Sequence, residues 1–351
     1  MNDWTSHEAL LTEGYRRCAK ITWRYGTTYF WGAALLPKPQ RKHVYAVYAL
    51  CRLADDIVDL PNGQQSSAST SSAPIAEASR GHASTEIDTV PTEPDPTLPD
   101  DTDRQVAVSA QLKTFVEEFR TSLAAGGSAE PVMAAVIHTV ITRRIDPECF
   151  DRFFNAMAMD LTTSTYQTWE DLRDYMEGSA AVIGEMMLPV LEPISESAKP
   201  PARSLGLAFQ LTNFLRDVGE DLDRGRIYLP QDDLRLFDAD VGRREATPQW
   251  RAFLAYEIER NRALYSFADT GIALLPPRSA RCVGTARVLY SQILDQIERN
   301  GYDVFSRRAR VPTTRKAATA ASMMVTGPRA LKRQAEAYQR RSRIDVTQDT
   351  Y

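Results

Sequence analysis

Two acidic strings carry the chemistry that this sequence offers. They are Asp55-Asp56-Ile57-Val58-Asp59 and Asn213-Phe214-Leu215-Arg216-Asp217-Val218-Gly219-Glu220-Asp221. Each puts carboxylates four residues apart inside an otherwise apolar, helix-like stretch. Charges in such settings are unfavourable unless something compensates them. Two facing carboxylate clusters suit several Mg²⁺ ions bridging to a diphosphate, because hard Mg²⁺ prefers carboxylate, water and phosphate oxygens.

On a helical wheel, Tyr48, Arg52, Asp55 and Asp59 fall at i, i+4, i+7 and i+11, which is one face. Ala46, Leu50, Leu53 and Ile57 follow the same spacing on another face, and Val47, Ala54 and Val58 fill much of the rest. A surface helix shows a broad polar side. This one is apolar nearly all round except for its Arg/Asp stripe, so the stripe is expected to line an interior cavity. Asp55 and Asp59 lie roughly 6 Å apart along the axis, close enough to approach one metal cluster. The plainer alternative is an exposed acidic helix end or an Arg52–Asp55 ion pair, since acidic strings of this kind are common.

The second string repeats the design. Leu207, Leu211, Leu215, Val218 and Leu222 form an apolar stripe, while Gln210, Asn213, Asp217 and Asp221 lie together on another side with Glu220 beside them. One amide and two or three carboxylates make an oxygen-rich half-site. The competing reading is an intrahelical charge network, Arg216 with Glu220 and Asp221 with Arg224. Gly225 and Pro230 then close the helix and open a tight segment, RGRIYLP.

These stripes need long helices to position them, and the chain supplies them. Candidate helices cover 6–24, 40–59, 106–124, 131–143, 148–161, 169–189, 199–221, 248–273, 279–299 and 314–341, with Pro and Gly falling mostly between the apolar-periodic runs. The expected fold class is all-α, as a single domain. Residues 61–104 stand apart, rich in Ser, Thr, Ala, Pro and acids. They cannot bury enough apolar surface to offset their ordering entropy, and read as a disordered insertion in one helical core.

Bulk properties narrow the classes. The 351 residues are 43% hydrophobic and carry a formal net charge of −4, so no global basic field attracts nucleic acid. The four cysteines, Cys18, Cys51, Cys149 and Cys282, show no CxxC spacing. That argues against zinc and disulfides and suits a reducing cytoplasm. The N-terminus lacks the order of a secretory signal, and no apolar run reaches the roughly 20 residues that span a bilayer. A cytoplasmic protein, soluble or peripherally attached, is expected. Lone His43 and His138 read as structural. No Glu-x-x-His occurs, which disfavours a diiron bundle. A non-catalytic scaffold would have no use for two acidic stripes inside apolar helices.

Four longer strings carry a family resemblance: YAVYALCRLADDIVD (45–59), DLRDYMEGSAAVIGEMMLP (171–189), LGLAFQLTNFLRDVGEDLDRGRIYLP (205–230) and LYSQILDQIERNGYDVFSRRARVPTTRK (289–316). In this order they resemble the phytoene synthase and squalene synthase group, the head-to-head isoprenyl diphosphate synthases, and look most like the bacterial phytoene synthases. The resemblance spans nearly the whole chain except the 61–104 insertion, a departure from the usual compact loop, and the C-terminal tail.

The resemblance implies an isoprenoid-synthase fold with a central cavity. It assigns Asp55 and Asp59 to one side of a Mg²⁺ cluster (Mn²⁺ substituting), and Asn213, Asp217 and Asp221, with Glu220 adjacent, to the other. The four aspartates are thereby the catalytic set. Arg52 and Arg308 match diphosphate contacts. Thr28, Tyr29, Tyr48, Tyr175, Gln210 and Tyr290 match cavity or substrate-binding positions, and Arg216 joins the substrate-binding set. The implied reaction joins two geranylgeranyl diphosphates through a cyclopropyl diphosphate to phytoene, without NADPH. The nearest rival is a squalene or dehydrosqualene synthase acting on the C15 substrate. Small Gly32-Ala33-Ala34 near the cavity hint at the longer chain. Prenyl diphosphates are the expected partners. The Arg/Lys-rich tail from about 328 reads as a solvated helix face that could also meet acidic lipid head groups. Contacts with downstream carotenoid enzymes are compatible with such a role.

Overall fold

The computed structural model describes residues 3–59, 101–329 and 331. Most of the 61–104 insertion and the basic tail beyond 331 lie outside the described residues. The last four insertion residues, 101–104, belong to a helix.

The chain runs α1 (Asp3–Tyr25), α2 (Thr27–Ala33), α3 (Lys38–Asp59), α4 (Asp101–Ala125), α5 (Pro131–Arg143), α6 (Pro147–Met159), β1 (Thr165–Tyr166), α7 (Trp169–Met176), a π-helical turn (Glu177–Ala181), α8 (Val182–Leu191) and α9 (Lys199–Asp223). It continues through β2 (Ile227–Pro230), α10 (Gln231–Leu236), α11 (Pro248–Ile272), α12 (Pro277–Arg299) and α13 (Thr313–Thr326). The architecture is all-α, as the periodicity predicts. Helix starts follow local chemistry. Glu130 and Asp146 cap α5 and α6, each with proline in the first turn, and Thr168 and Asp171 form a reciprocal capping box on α7.

The helix expected over 314–341 ends at Thr326, where Gly327 takes a φ of 63°, and three further features depart from the sequence reading. The single helix expected over 169–189 is α7 and α8 joined by the π turn. The short helices α2 and α10 lack the length that makes periodicity visible. The third is a two-strand parallel pair, β1 with β2, in which Thr165 pairs with Ile227 and Tyr166 with Pro230. This pair carries RGRIYLP back against the end of α6.

α9 is the central helix, packed by α11, α8, the π turn and α12. Trp250, Tyr265, Phe150, Phe153 and Phe253 are fully buried in one contiguous core. α9 approaches the π turn and α8 closely through two glycines, Gly206 on α9 and Gly184 on α8. A Cβ on Gly206 would sit 2.3 Å from the Ala180 carbonyl oxygen, and one on Gly184 2.2 Å from that of Ala202. Among the described residues no helix is long and apolar enough to cross a membrane.

Candidate active site

The last turns of α3 and α9 supply a carboxylate rim. Asp59 ends α3 and is ion-paired to Arg226 at 2.7 Å and to Arg224 at 3.6 Å. Burial pushes the Asp55 carboxyl up to about 7, and the negative charge of Asp59 adds to the shift. Asp221, on α9, is also pushed up to about 7, first by burial and then by Asp217. Arg226 links the two acidic strings, its guanidinium on Asp59 at 2.7 Å and its backbone N–H on the Asp221 carbonyl at 2.9 Å, so the strings lie side by side.

Asp217 is clamped between two guanidiniums. Arg216 donates to it at 2.7 and 2.5 Å, and Arg308 at 2.8 Å. Glu220 is exposed and meets Arg308 at 3.4 Å. The intrahelical alternative, Arg216 with Glu220, is not formed, because Arg216 turns to its neighbour Asp217. Arg52 pairs with Asp56 rather than Asp55, lies over the Tyr25 ring at 4.6 Å, and keeps its buried Nε–H without a partner. Asn213 donates to Gln210 at 3.4 Å.

Three residues at the rim escape the sequence reading. Asp160 caps the end of α6 and accepts hydrogen bonds from Tyr175 at 2.6 Å and Tyr228 at 3.0 Å. Burial raises it to about 6, against the lowering effect of the Tyr175 bond, and it couples electrostatically to Asp55 and Asp59. Arg226 lies in the quoted RGRIYLP string, yet only the β1–β2 pairing shows which acid it reaches. Lys316 donates to Thr27 at 2.7 Å, and its ammonium is lowered first by burial and then by Arg216, so it stands beside the same cationic group.

The donor set fits a hard cation. Asp55, Asp59, Asp160, Asp217, Asp221, Asn213 and Glu220 offer oxygen alone, with no thiolate or imidazole. Among the described residues no three acids converge at metal-ligand spacing. Instead Asp56, Asp59 and Asp217 each meet an arginine.

Below the rim lies an apolar cavity of about 1010 Å³, counting the part open to solvent. Tyr29, Phe209 and Gln210 line its upper end, and Ala198, Pro201, Ala202, Ile272 and Leu275 its lower end. Tyr29, Tyr48, Phe209 and Tyr290 form one aromatic cluster, with ring centroids 4.4 Å apart for Phe209–Tyr290, 5.4 Å for Tyr29–Tyr290 and 5.5 Å for Tyr29–Tyr48. Of the small residues Gly32-Ala33-Ala34, Gly32 lines the cavity, whereas Ala33 is packed in the core and Ala34 is exposed. Tyr175 stands elsewhere, stacked with Tyr228 and Phe214 and tilted against Tyr166, beside Asp160. Thr28 is half-buried on α2, with no side-chain hydrogen bond among the described residues. His43 and His138 are absorbed structurally in a cluster with Tyr15 and Thr139.

An all-α shell around an apolar cavity is the architecture of the squalene synthase-type isoprenoid synthases. The structure superposes on a dehydrosqualene synthase with a TM-score of 0.71, at 23% identity over 89% of this chain and 95% of that one. It superposes on a squalene synthase from Alicyclobacillus acidocaldarius with a TM-score of 0.64, at 28% identity over 84% and 96%. The squalene/phytoene synthase family model matches residues 23–315, and the chain belongs to that family. A phytoene synthase of Arthrospira platensis is 35% identical over 88% of this chain and 91% of its own length. A 15-cis-phytoene synthase of Synechococcus elongatus is 33% identical over 88% and 91%.

Proposed function

We propose that this protein is a Mg²⁺-dependent prenyltransferase that condenses two geranylgeranyl diphosphates head to head into phytoene. The observation that carries the chain length is the depth of the cavity along α9. Pro201 lies sixteen positions before Asp217 on that helix, roughly 24 Å at about 1.5 Å per residue. An extended C20 prenyl chain, with about sixteen main-chain carbons and about fifteen bonds, spans roughly 18 Å at about 1.2 Å per zigzag bond. The resemblance to two named phytoene synthases supports the same choice.

In this reading Asp55, Asp59, Asn213, Asp217, Glu220 and Asp221 hold the metal, with Asp160 beside them. Mg²⁺, when bound, neutralises charge on the departing diphosphate as a Lewis acid. Arg52, Arg216, Arg308 and Lys316 give the diphosphate fixed cationic donors. Tyr29 and Phe209, backed by Tyr290, wall the upper cavity with π faces, each worth roughly 0.5–2 kcal/mol to an allylic cation, and the apolar lining keeps water from quenching it. The first condensation forms a cyclopropyl diphosphate with proton loss. A second ionisation, rearrangement and proton loss give phytoene, a redox-neutral sequence that needs no NADPH.

The hydrocarbon product has no polar head, which favours a cytoplasmic enzyme that touches a membrane peripherally. Met324 and Val325, exposed on α13, are the apolar contacts for it. Co-sedimentation with anionic vesicles, lost in a Met324→Ser/Val325→Ser variant, tests that contact. The reaction itself is tested by incubating the purified protein with C15 and C20 diphosphates and Mg²⁺, with and without NADPH. Phytoene from the C20 substrate without NADPH is expected. C30 product alone, or an absolute NADPH requirement, overturns the proposal.

A further inference from the structure

Arg226 occupies the place between the two acidic helices. Its guanidinium donates to Asp59 at 2.7 Å and to the Val58 carbonyl at 3.4 Å, and its side chain is only 16% exposed. Its charge also reaches Asp160 and Asp221. Its own backbone N–H donates to the Asp221 carbonyl at 2.9 Å, which fixes its root to the end of α9. One buried cation thus serves carboxylates from α3, α6 and α9. On the far side, Arg308 and Arg216 occupy Asp217 in the same manner.

We infer that Arg226 is a positioning residue that holds Asp59 in an internal ion pair and competes with divalent metal for that carboxylate until a diphosphate arrives. This rests on the reading that the rim takes metal and diphosphate together. A metal that takes Asp59 must displace Arg226, leaving a half-buried guanidinium without its partner. Stripping one partner from such a pair is unfavourable. A diphosphate gives the released guanidinium a new anion. Metal and diphosphate therefore each take one half of a pair that otherwise neutralises itself. Their binding is positively coupled, and the coupling is reciprocal. The pairing also keeps the rim from loading metal with no substrate present.

The test is calorimetry and EPR with Mn²⁺ as probe, with and without inorganic pyrophosphate, on wild type, Arg226→Lys and Arg226→Gln. Wild type is expected to bind Mn²⁺ weakly alone and much more tightly with pyrophosphate. Arg226→Gln should bind Mn²⁺ alone about tenfold more tightly, with the pyrophosphate enhancement shrunk by a similar factor, and Arg226→Lys should restore the wild-type pattern. A second variant covers a misfolded Arg226→Gln. Asp59→Asn frees Arg226, so metal-free pyrophosphate should bind it more tightly than wild type. If wild type takes up neither metal nor pyrophosphate, the reading of the site fails along with this inference. If wild type takes up both, this inference alone is overturned when Arg226→Gln binds Mn²⁺ no more tightly, or when a folded Asp59→Asn binds pyrophosphate no better.

Discussion

The Tyr175 hydroxyl donates a 2.6 Å hydrogen bond to Asp160, fifteen positions earlier in the chain. The bond favours the ionised carboxylate and partly offsets the burial that raises Asp160 to about 6. Tyr175→Phe removes that donor, so Asp160 holds its proton to higher pH. The acid limb of kcat/KM against pH, followed between about pH 5.5 and 8, should move upward in Tyr175→Phe. A limb in the wild-type position would mean that the Asp160 charge plays no part at the rim.

Asp55→Asn and Asp217→Asn each replace a carboxylate of nearly equal size by a neutral amide. Loss of one charge-stabilising group at a reacting centre typically lowers kcat by about 10²–10³-fold. A drop of at least that size is expected in steady-state product assays, with helical content by circular dichroism unchanged. Near-wild-type turnover in either variant would remove that carboxylate from the proposed metal site.

The two acidic stripes were legible because both lie on long helices, where a period of 3.6 residues turns spacing into facing. The same rule gave the all-α class and the boundaries of α5 and α11 to within about a residue. Asp160 was hidden for the opposite reason. It is one acid at the end of α6, and its role depends on Tyr228 arriving from β2, a contact set by strand pairing that no local period encodes. Arg226 was visible in its string, but its partner Asp59 is 167 positions away. Tyr175 was expected at a cavity or substrate-binding position, and it stands beside the carboxylate Asp160 at the rim. Tyrosine patterning gives burial, and the direction of the hydroxyl is decided by the tertiary fold.

Without metal, the rim should make the protein less stable as pH rises. Asp55 and Asp221 have folded-state values of about 7, well above the ordinary carboxylate value of 3.8. Between these limits the unfolded chain releases protons that the folded chain keeps. Their contribution therefore falls as pH rises from about 4 to 7 and levels off above. In chelator the melting temperature should be higher at pH 5.5 than at pH 7.5. Mg²⁺ with pyrophosphate should narrow that gap by stabilising the ionised carboxylates. A chelator-treated melting temperature that rises across the same interval would contradict the assigned shifts.

The glycine contact between α9 and the π turn should be intolerant of a single methyl group. At Gly206 the added carbon would lie 2.3 Å from a backbone carbonyl oxygen, which cannot rotate away as a side chain would. Gly206→Ala is expected to destabilise by about 1–3 kcal/mol, as overpacked cores do, read from denaturant unfolding. The helices that frame the cavity would shift with it. An unchanged unfolding midpoint would show that α9 and the π turn can part without penalty.

Cavity depth supplies a test of chain-length selection. Ala202 lies on α9 fifteen positions before Asp217, roughly 22 Å along the axis at about 1.5 Å per residue. It lines the deep end with Ala198, Pro201 and Leu275 and is half-buried, so a larger side chain can grow into open space rather than into packed core. A C15 chain, with about twelve main-chain carbons and about eleven bonds, spans roughly 13 Å and stays about 9 Å short of it, whereas a C20 chain, with about fifteen bonds, spans roughly 18 Å at about 1.2 Å per zigzag bond and ends about 4 Å away, within reach of a phenylalanine ring. Ala202→Phe should therefore lower kcat/KM for the C20 diphosphate by at least about tenfold relative to the C15 diphosphate, within the range that small volume changes produce in apolar pockets. Both substrates would be measured in competition, so that any general loss of activity cancels in the ratio. A ratio equal to wild type would show that the prenyl tail does not run down α9, and the depth argument for the C20 substrate would fall with it.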